Sequence, residues 1–295
     1  MLNEFKKSRI YTSVVKPHVW CIKLGLRSVR HFRVDMLLDK NLGQHEAIEK
    51  PLLIKARLEN EAKYTEKEPL VSINIPTYSR GKLLVEKTLP SIFAQTYERY
   101  EVVIVGDHCA DNTEELIRKL NHPKVRFYDL PDRPVYPKDQ RKRWMVAGVP
   151  AINKSIELSN GLWLAHLDDD DVYTPDHIEA LLKLALEGKY EFVIGLSRVE
   201  IEPGKWEIAG PGLPTGRYPF RKFRLLFIPH SATFERSYLK LFKYSIDAHK
   251  LGRGADNHRW WRMGRCGVRN GFLPKIVVEL PLRPGEIVRG INQPE

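Results

Sequence analysis

Four consecutive carboxylates, Asp168, Asp169, Asp170 and Asp171, follow the apolar run Leu162, Trp163, Leu164, Ala165 and the pair His166 and Leu167. Side by side they repel one another, and a folded chain keeps such a cluster beside a hydrophobic strand only where water, cations or hydrogen-bond donors offset the charge. Hard divalent ions do this well. Mg2+ or Mn2+ takes oxygen ligands, typically one or two carboxylates, and leaves phosphate oxygens and water to complete its shell. The bland alternative is a solvated acidic loop, but the position directly after a buried strand favours a metal- or phosphate-linked site.

Other groups with chemical potential lie far away in sequence. Asp107 ends the run Glu101 to Gly106 (EVVIVG), and Pro76, Thr77 and Tyr78 follow the strand-like Leu70 to Ile75. Asp256 and His258 open GADNHRWWRM, which also holds Trp260 and Trp261, and His230 lies in IPHSATF. Each has an ordinary reading as well: Tyr78 as a turn tyrosine, Asp107 as a helix cap, Asp256 as a favourable acid in a first helical turn, the histidines as structural or surface residues, and one tryptophan at least as core.

The elements that must position these residues alternate. From Leu70 the pattern is strand then helix, repeated: strands at Leu70 to Ile75, Glu101 to Gly106, Lys124 to Tyr128 and the run into the aspartates, with helices between them. Pro90 should kink or restart the first helix, Asp111 with Glu114 predicts a capping box, and Thr174 with Pro175 predicts the start of the helix after the aspartates. Short links between alternating elements imply a mainly parallel sheet covered on both faces. Thr77, Tyr78, Asp107 and Asp168 to Asp171 then gather on one edge of it, where open α/β sheets bind ligands. Beyond, Glu191 to Ile201 and Trp206 to Ala209 predict an antiparallel hairpin, Ile228 to Phe234 a strand, and Arg236 to Tyr244 and Gly254 to Met263 helices.

With 42% hydrophobic and 29% charged residues over 295 positions, the chain can bury a full core and is not generally disordered. No run approaches a membrane span, no signal peptide is evident, and Cys21, Cys109 and Cys266 lack metal-ligand spacing, so a cytoplasmic protein is expected. The net charge of +11 is uneven: residues 1 to 33 carry eight Lys and Arg against Glu4, and further basic clusters lie at Lys138 to Arg143 and Arg217 to Arg224. Anionic partners fit this pattern. Val19, Ile22, Leu26 and Val29 recur at helical spacing beside Lys23, Arg27 and Arg30, which suits either a helix lying on the inner face of a membrane or one packed on the main domain. Residues 1–68 are thus read as a basic helical extension and 69–295 as the main domain, with a nucleotide-binding half of about 69–175 and an acceptor-binding half of about 176–295.

Four stretches in order, VSINIPTYSRG, SIFAQTYERYEVVIVGDHCADNT, LAHLDDDDVYTPDHIEALL and GADNHRWWRMGRCG, resemble the family 2 glycosyltransferases of the GT-A fold over roughly Pro69 to Leu280. The resemblance implies a GT-A, Rossmann-like α/β fold and an inverting, metal-dependent transfer of a sugar from a UDP-, GDP- or dTDP-sugar donor to a hydroxyl of a glycan or lipid-linked acceptor. It implies Pro76, Thr77 and Tyr78 around the nucleobase, Asp107 accepting a base N–H, Asp169 near the ribose, Asp170 with Asp168 holding Mn2+ or Mg2+, and Asp256 as general base. Ala255 departs from the family's frequent Glu-Asp pair. His230 and His258 are candidates for the diphosphate or metal shell, and Trp260 for an acceptor platform.

Other functional classes fit less well. A nucleotidyltransferase needs a glycine-rich, basic phosphate loop after its first strand, which PTYSRG matches poorly. A non-catalytic sugar-nucleotide or glycan binding module has only Ala255 in its favour, and nucleic acid is not expected because the basic clusters lack interleaved aromatics at a recognised spacing.

Overall fold

The computed structural model of the protein describes residues 16–210, 228–283 and 285–286, with side chains from residue 36 onward. The chain forms two compact units divided between His45 and Glu46. The first holds the opening part of helix α1 (Lys16–Asn60); the side chains of its Val19 to Val29 pattern lie outside the described residues.

In the second unit the remaining elements run β1 (Val71–Thr77), α2 (residues 81–93), β2 (Tyr100–Gly106), α3 (Thr113–Lys119), β3 (Val125–Asp129), α4 (Gln140–Trp144), α5 (Val149–Leu158), β4 (Trp163–His166), β5 (Val172–Tyr173), α6 (His177–Glu187), β6 (Phe192–Glu202), β7 (Lys205–Ala209), β8 (Thr233–Arg236), α7 (Ala255–Cys266) and β9 (Asn270–Leu280). The nine strands among the described residues form one sheet, ordered β3-β2-β1-β4-β8-β6-β9-β5, with β7 added on β6. Strands β3, β2, β1 and β4 are mutually parallel, as the alternation predicts. The antiparallel part extends further than the expected hairpin, because β8 inserts antiparallel between β4 and β6 and β5 pairs antiparallel with β9.

Strand β2 is apolar on both faces because both are covered. Ile73, Ile75, Val102, Ile104, Trp163 and Ala165 enter the main core, while Val103 and Val105 meet Ala151 of α5 on the other side. Gly161 lets the chain enter β4 flush against β1: a Cβ there would lie 2.6 Å from the Ser72 nitrogen.

Some local expectations are corrected. The segment 236–244 forms a short 3-10 turn, Ser237–Leu241, in place of the expected helix. The carbonyls of Leu239 and Phe242 accept from the Arg259 guanidinium, at 3.1 and 2.5 Å, and the Leu239 carbonyl also takes the Phe242 amide at 3.0 Å to close the turn. Asp111 accepts from Thr113 as a local turn instead of closing a capping box with Glu114, and the helix after the aspartates starts at His177, two residues beyond Pro175. Pro90 restarts α2 as expected, through a π turn over Leu84–Thr88. The later part of α1 is anchored by the buried Leu53, by Glu49 on Arg262 at 2.7 Å and by a bidentate Arg57–Glu191 pair at 2.6 and 2.7 Å.

Candidate functional site

The carboxyl ends of β2, β1 and β4 are adjacent, so the residues that follow them share one edge of the sheet. Two of the connecting turns contain non-glycine residues in the left-handed region, Ser79 at φ 51° and His108 at φ 61°. Such strain persists where the surroundings over-determine the backbone, often at binding sites.

Beyond β2 the Asp107 amide donates to the Thr77 carbonyl at 2.8 Å, which fixes its carboxylate at the edge. Asp107 is 2% exposed. Its Oδ2 accepts from the Tyr136 hydroxyl at 2.8 Å and lies 3.4 Å from Arg133, whereas its buried Oδ1 has no hydrogen-bond partner among the described residues. Burial raises the Asp107 pKa above the ordinary carboxylate value, against the pull of Tyr136 and Arg133. Tyr136 is itself held by the Gly148 amide at 3.1 Å, and Gly148 adopts φ 74° beside Pro76. The Arg133 guanidinium covers Tyr78, 3.4 Å from the ring centroid. Together these side chains make a flat cation–aromatic face beside a buried acceptor, a pairing that suits a planar ring with an N–H. Arg133 and Tyr136 were missed in the sequence, where residues 130 to 143 stand out only as proline-rich and basic.

Beyond β4 the four aspartates part company. Asp169 is enclosed: its Oδ2 accepts from the Thr77 hydroxyl at 2.7 Å and the Tyr78 amide at 3.4 Å, its Oδ1 from Arg80 at 2.8 Å, and its carbonyl from Thr88, on the π turn of α2, at 3.0 Å. Burial, opposed by Arg80 and reinforced by the charge of Asp170, pushes its pKa up to about 6. A ribose hydroxyl at Asp169 must therefore join or displace protein donors. Asp170 accepts from Arg80 at 3.3 Å and from the Arg283 side chain, so two guanidiniums counter its charge. Asp171 accepts from the Ser231 hydroxyl at 2.6 Å, and Ser231 Oγ in turn receives the Asp168 amide at 2.9 Å, a loop-structuring role.

Asp168 keeps its side chain 46% exposed, with Oδ1 3.3 Å from His230 Nδ1. Desolvation works against its ionisation, but the hydrogen bond and charge of His230 outweigh it and hold the carboxyl below its usual range. His230 is supported from behind: Nε2 lies 2.9 Å from the Tyr244 hydroxyl, and the ring stacks on His166 at 4.6 Å. His166 meets Glu235 at 3.2 Å, and Glu235 is gripped by both Arg259 terminal nitrogens at 2.8 Å. Burial disfavours the His230 imidazolium, yet Asp168 and the field of Asp256 raise its pKa. Asp256, in the first turn of α7, is raised by burial and by Asp168, against His230. Asp168, His230 and Asp256 thus form one electrostatic group, and Asp256 is positioned through the Ala255 amide on the Met145 carbonyl at 2.9 Å.

Trp260 is a correction. At 1% exposure, packed against Phe192, it belongs to the main core and offers no face to a sugar. Trp261 is half-buried, with Arg253 4.9 Å over its ring, and His258 is enclosed at 2% exposure.

No group of three or more His, Cys, Asp or Glu side chains able to hold a metal ion occurs among the described residues. Asp168 and Asp170 nonetheless suit Mg2+ or Mn2+, which commonly takes one or two carboxylates and completes its shell with substrate phosphates and water. The half-exposed carboxylate of Asp168 is a hard oxygen donor of that kind.

Comparison with known proteins is decisive for the family. The model described as glycosyl transferase family 2 matches residues 72–249, more than half of the chain. The chain belongs to glycosyl transferase family 2. Among curated family 2 relatives, hyaluronan synthase of Pasteurella multocida is 31% identical over 141 residues, 47% of this chain and 13% of the relative. The poly(ribitol-phosphate) beta-N-acetylglucosaminyltransferase TarP of Staphylococcus aureus is 29% identical over 188 residues, 61% of this chain and 51% of the relative. A Campylobacter jejuni GalNAc(5)-diNAcBac-PP-undecaprenol beta-1,3-glucosyltransferase is 27% identical, covering 62% of this chain and 54% of the relative. The chain spans about half or less of the length of these relatives. The fold is shared with S. aureus TarS in complex with UDP, at TM-score 0.54 and 15% identity over 72% of this chain and 61% of that one. It is shared also with the mannosyltransferase PcManGT of Pyrobaculum calidifontis in complex with GDP-Man and Mn2+, at TM-score 0.53 and 16% identity over 86% and 70%. The chain therefore has the GT-A fold expected of this family. No described helix is long and apolar enough to cross a membrane.

Proposed function

We propose that the chain moves a sugar, with inversion, from a nucleotide-sugar donor to a hydroxyl of a glycan or lipid-linked acceptor in polysaccharide or glycoconjugate assembly, in a reaction dependent on Mg2+ or Mn2+. One observation carries the reading: a buried carboxylate oxygen without a partner, on Asp107 beside the Arg133–Tyr78 face, shares a sheet edge with the Asp168, Asp170, His230 and Asp256 group. The first suits a nucleobase and the second a diphosphate and its sugar. The donor class draws support from solved structures of the same fold that hold UDP, UDP-GlcNAc and GDP-Man.

In this reading the base lies against Tyr78 and Arg133, with an N–H directed at Asp107 Oδ1. Asp169 organises Thr77, the Tyr78 amide and Arg80 around the ribose end. Asp168 and Asp170 would hold the divalent ion, whose charge stabilises the departing nucleoside diphosphate. His230, backed by Tyr244, orients Asp168. Asp256, made more basic by burial, takes the proton of the acceptor hydroxyl as its oxygen attacks the anomeric carbon. The basic residues 1 to 33 support action at the inner face of a membrane.

A panel of nucleotide sugars assayed with Mn2+ or Mg2+ tests this. One donor should bind and be slowly hydrolysed, and Asp170→Ala should remove the hydrolysis. Donor binding and hydrolysis that persist undiminished in chelator would overturn the metal role.

A further inference from the structure

The segment 130–148 joins the two ends of the site. Tyr136 and Gly148 brace Asp107, and the Met145 carbonyl receives the Ala255 amide next to Asp256. Between these anchors the segment turns outward and closes on itself, with Arg143 donating to the carbonyls of Pro137 and Lys138 at 3.2 and 3.3 Å and Asp139 capping α4 through the Lys142 amide at 2.8 Å. What it presents to solvent is unusual for a surface loop. Val135 is 90% and Trp144 71% exposed, and Lys138, Arg141, Lys142 and Arg143 of the same segment are exposed as well. None of these four cations pairs with a carboxylate among the described residues.

A solvated basic face accounts for the charges but leaves a bare indole and a bare valine in their midst. An acidic polysaccharide would use the cations and the indole, but would gain little from valine. Apolar groups interspersed with unpaired Lys and Arg along one exposed segment match the boundary of an anionic bilayer, where indole sits at headgroup level and the cations meet lipid phosphate.

We propose that Val135, Trp144 and the surrounding Lys138, Arg141, Lys142 and Arg143 form a docking surface for an anionic lipid bilayer, beside the acceptor end of the site. The relation of this surface to catalysis rests on the role given to Asp256 above, whereas lipid docking itself does not. Docking here brings the membrane next to Asp256 and makes an acceptor anchored in that membrane the substrate class served.

The test is flotation of the full chain with phosphatidylcholine vesicles, with and without phosphatidylglycerol, in parallel with donor hydrolysis. The wild type should bind the anionic vesicles and release them in high salt. Trp144→Ala combined with Val135→Ser should weaken that binding roughly tenfold, and Arg141→Gln with Lys142→Gln roughly fivefold per charge removed, while both variants keep wild-type donor hydrolysis. Trp144 fluorescence should be quenched by brominated lipid only when the vesicles are anionic, with the quenching lost in Trp144→Phe. Vesicle binding unchanged in both combined variants would overturn the proposal. So would a wild type that ignores vesicles yet binds a soluble polyanion such as heparin through Arg141 and Lys142, which would mark the patch as a site for acidic polymers. Loss of hydrolysis in Asp170→Ala without loss of flotation would leave docking standing and bear only on the catalytic reading.

Discussion

Asp107 and Asp170 follow neighbouring elements on either side of β1, yet they are prepared for different partners. Asp107 is buried with one oxygen spoken for by Tyr136 and the other left without a partner, and its pKa is raised. Asp170 has its charge countered by Arg80 and Arg283. A buried carboxylate oxygen left unsatisfied is suited to a neutral N–H, because a hydrogen bond there recovers a desolvation cost already incurred. A carboxylate surrounded by cations suits a region of exchanging charge, where on the proposed reading metal and diphosphate would compete with guanidinium for the same oxygens. On that reading the same residue type serves recognition at one end of the site and charge compensation at the other, and its neighbours decide which.

Substitutions can break this contrast. Asp170→Ala should reduce turnover to background, and a titration of Mn2+ followed by electron paramagnetic resonance should show weakened ion binding. Asp256→Asn should lower kcat by roughly 10²- to 10⁴-fold, the usual worth of a general base, while nucleotide binding measured calorimetrically stays intact. Full transferase activity in that variant would remove Asp256 from the mechanism. Asp107→Ala should act oppositely, weakening nucleotide binding by about 10- to 100-fold, as for a lost hydrogen bond to a charged group, with kcat held within a few-fold at saturation. Arg133→Ala should weaken nucleotide binding roughly two- to fivefold, the size of an exposed cation–π contact.

A separate effect, on stability and not on binding or turnover, concerns the support behind His230. Arg259 and His166 overcome burial to hold Glu235 at about 2, below its unfolded value. A depressed carboxyl contributes stability that is fully present above the unfolded pKa and is lost as pH falls through the window between about 4.5 and about 2. Thermal melts should show the midpoint of wild type falling across that window. In Arg259→Met the midpoint should be lower at neutral pH, because Glu235 is left buried without its main counter-charge.

Much of this edge was legible in the sequence. Apolar runs that end in Asp107 and in Asp168 to Asp171 mark strands covered on both faces with charge at their carboxyl ends, and a parallel sheet then gathers them. Asp256 was legible through its place in a first helical turn. The residues that assign roles were not. Arg80 reads as a turn residue, Arg133 and Tyr136 as part of a basic, proline-rich stretch, and Arg283 as tail, because nothing local in sequence reports a partner 26 to 113 residues away. The tryptophan pair shows the same limit. Trp260 and Trp261 are adjacent and chemically equal, and only the rotation of α7 sends the first into the core and leaves the second half-buried. The antiparallel half was underestimated for a related reason: a strand was expected at Ile228 to Phe234, but the four-residue β8 lies at Thr233–Arg236, and only its pairing with β4 and β6 gives its direction.

The most direct test of the two-ended site is calorimetric binding of a nucleotide-sugar panel, with Mn2+ or with chelator, to wild type, Asp107→Ala and Asp170→Ala. The account predicts one donor that binds wild type with Mn2+, binds less tightly to Asp107→Ala under both conditions, and shows no dependence on Mn2+ in Asp170→Ala. Equal binding of that donor by all three proteins, unchanged by chelator, would contradict it.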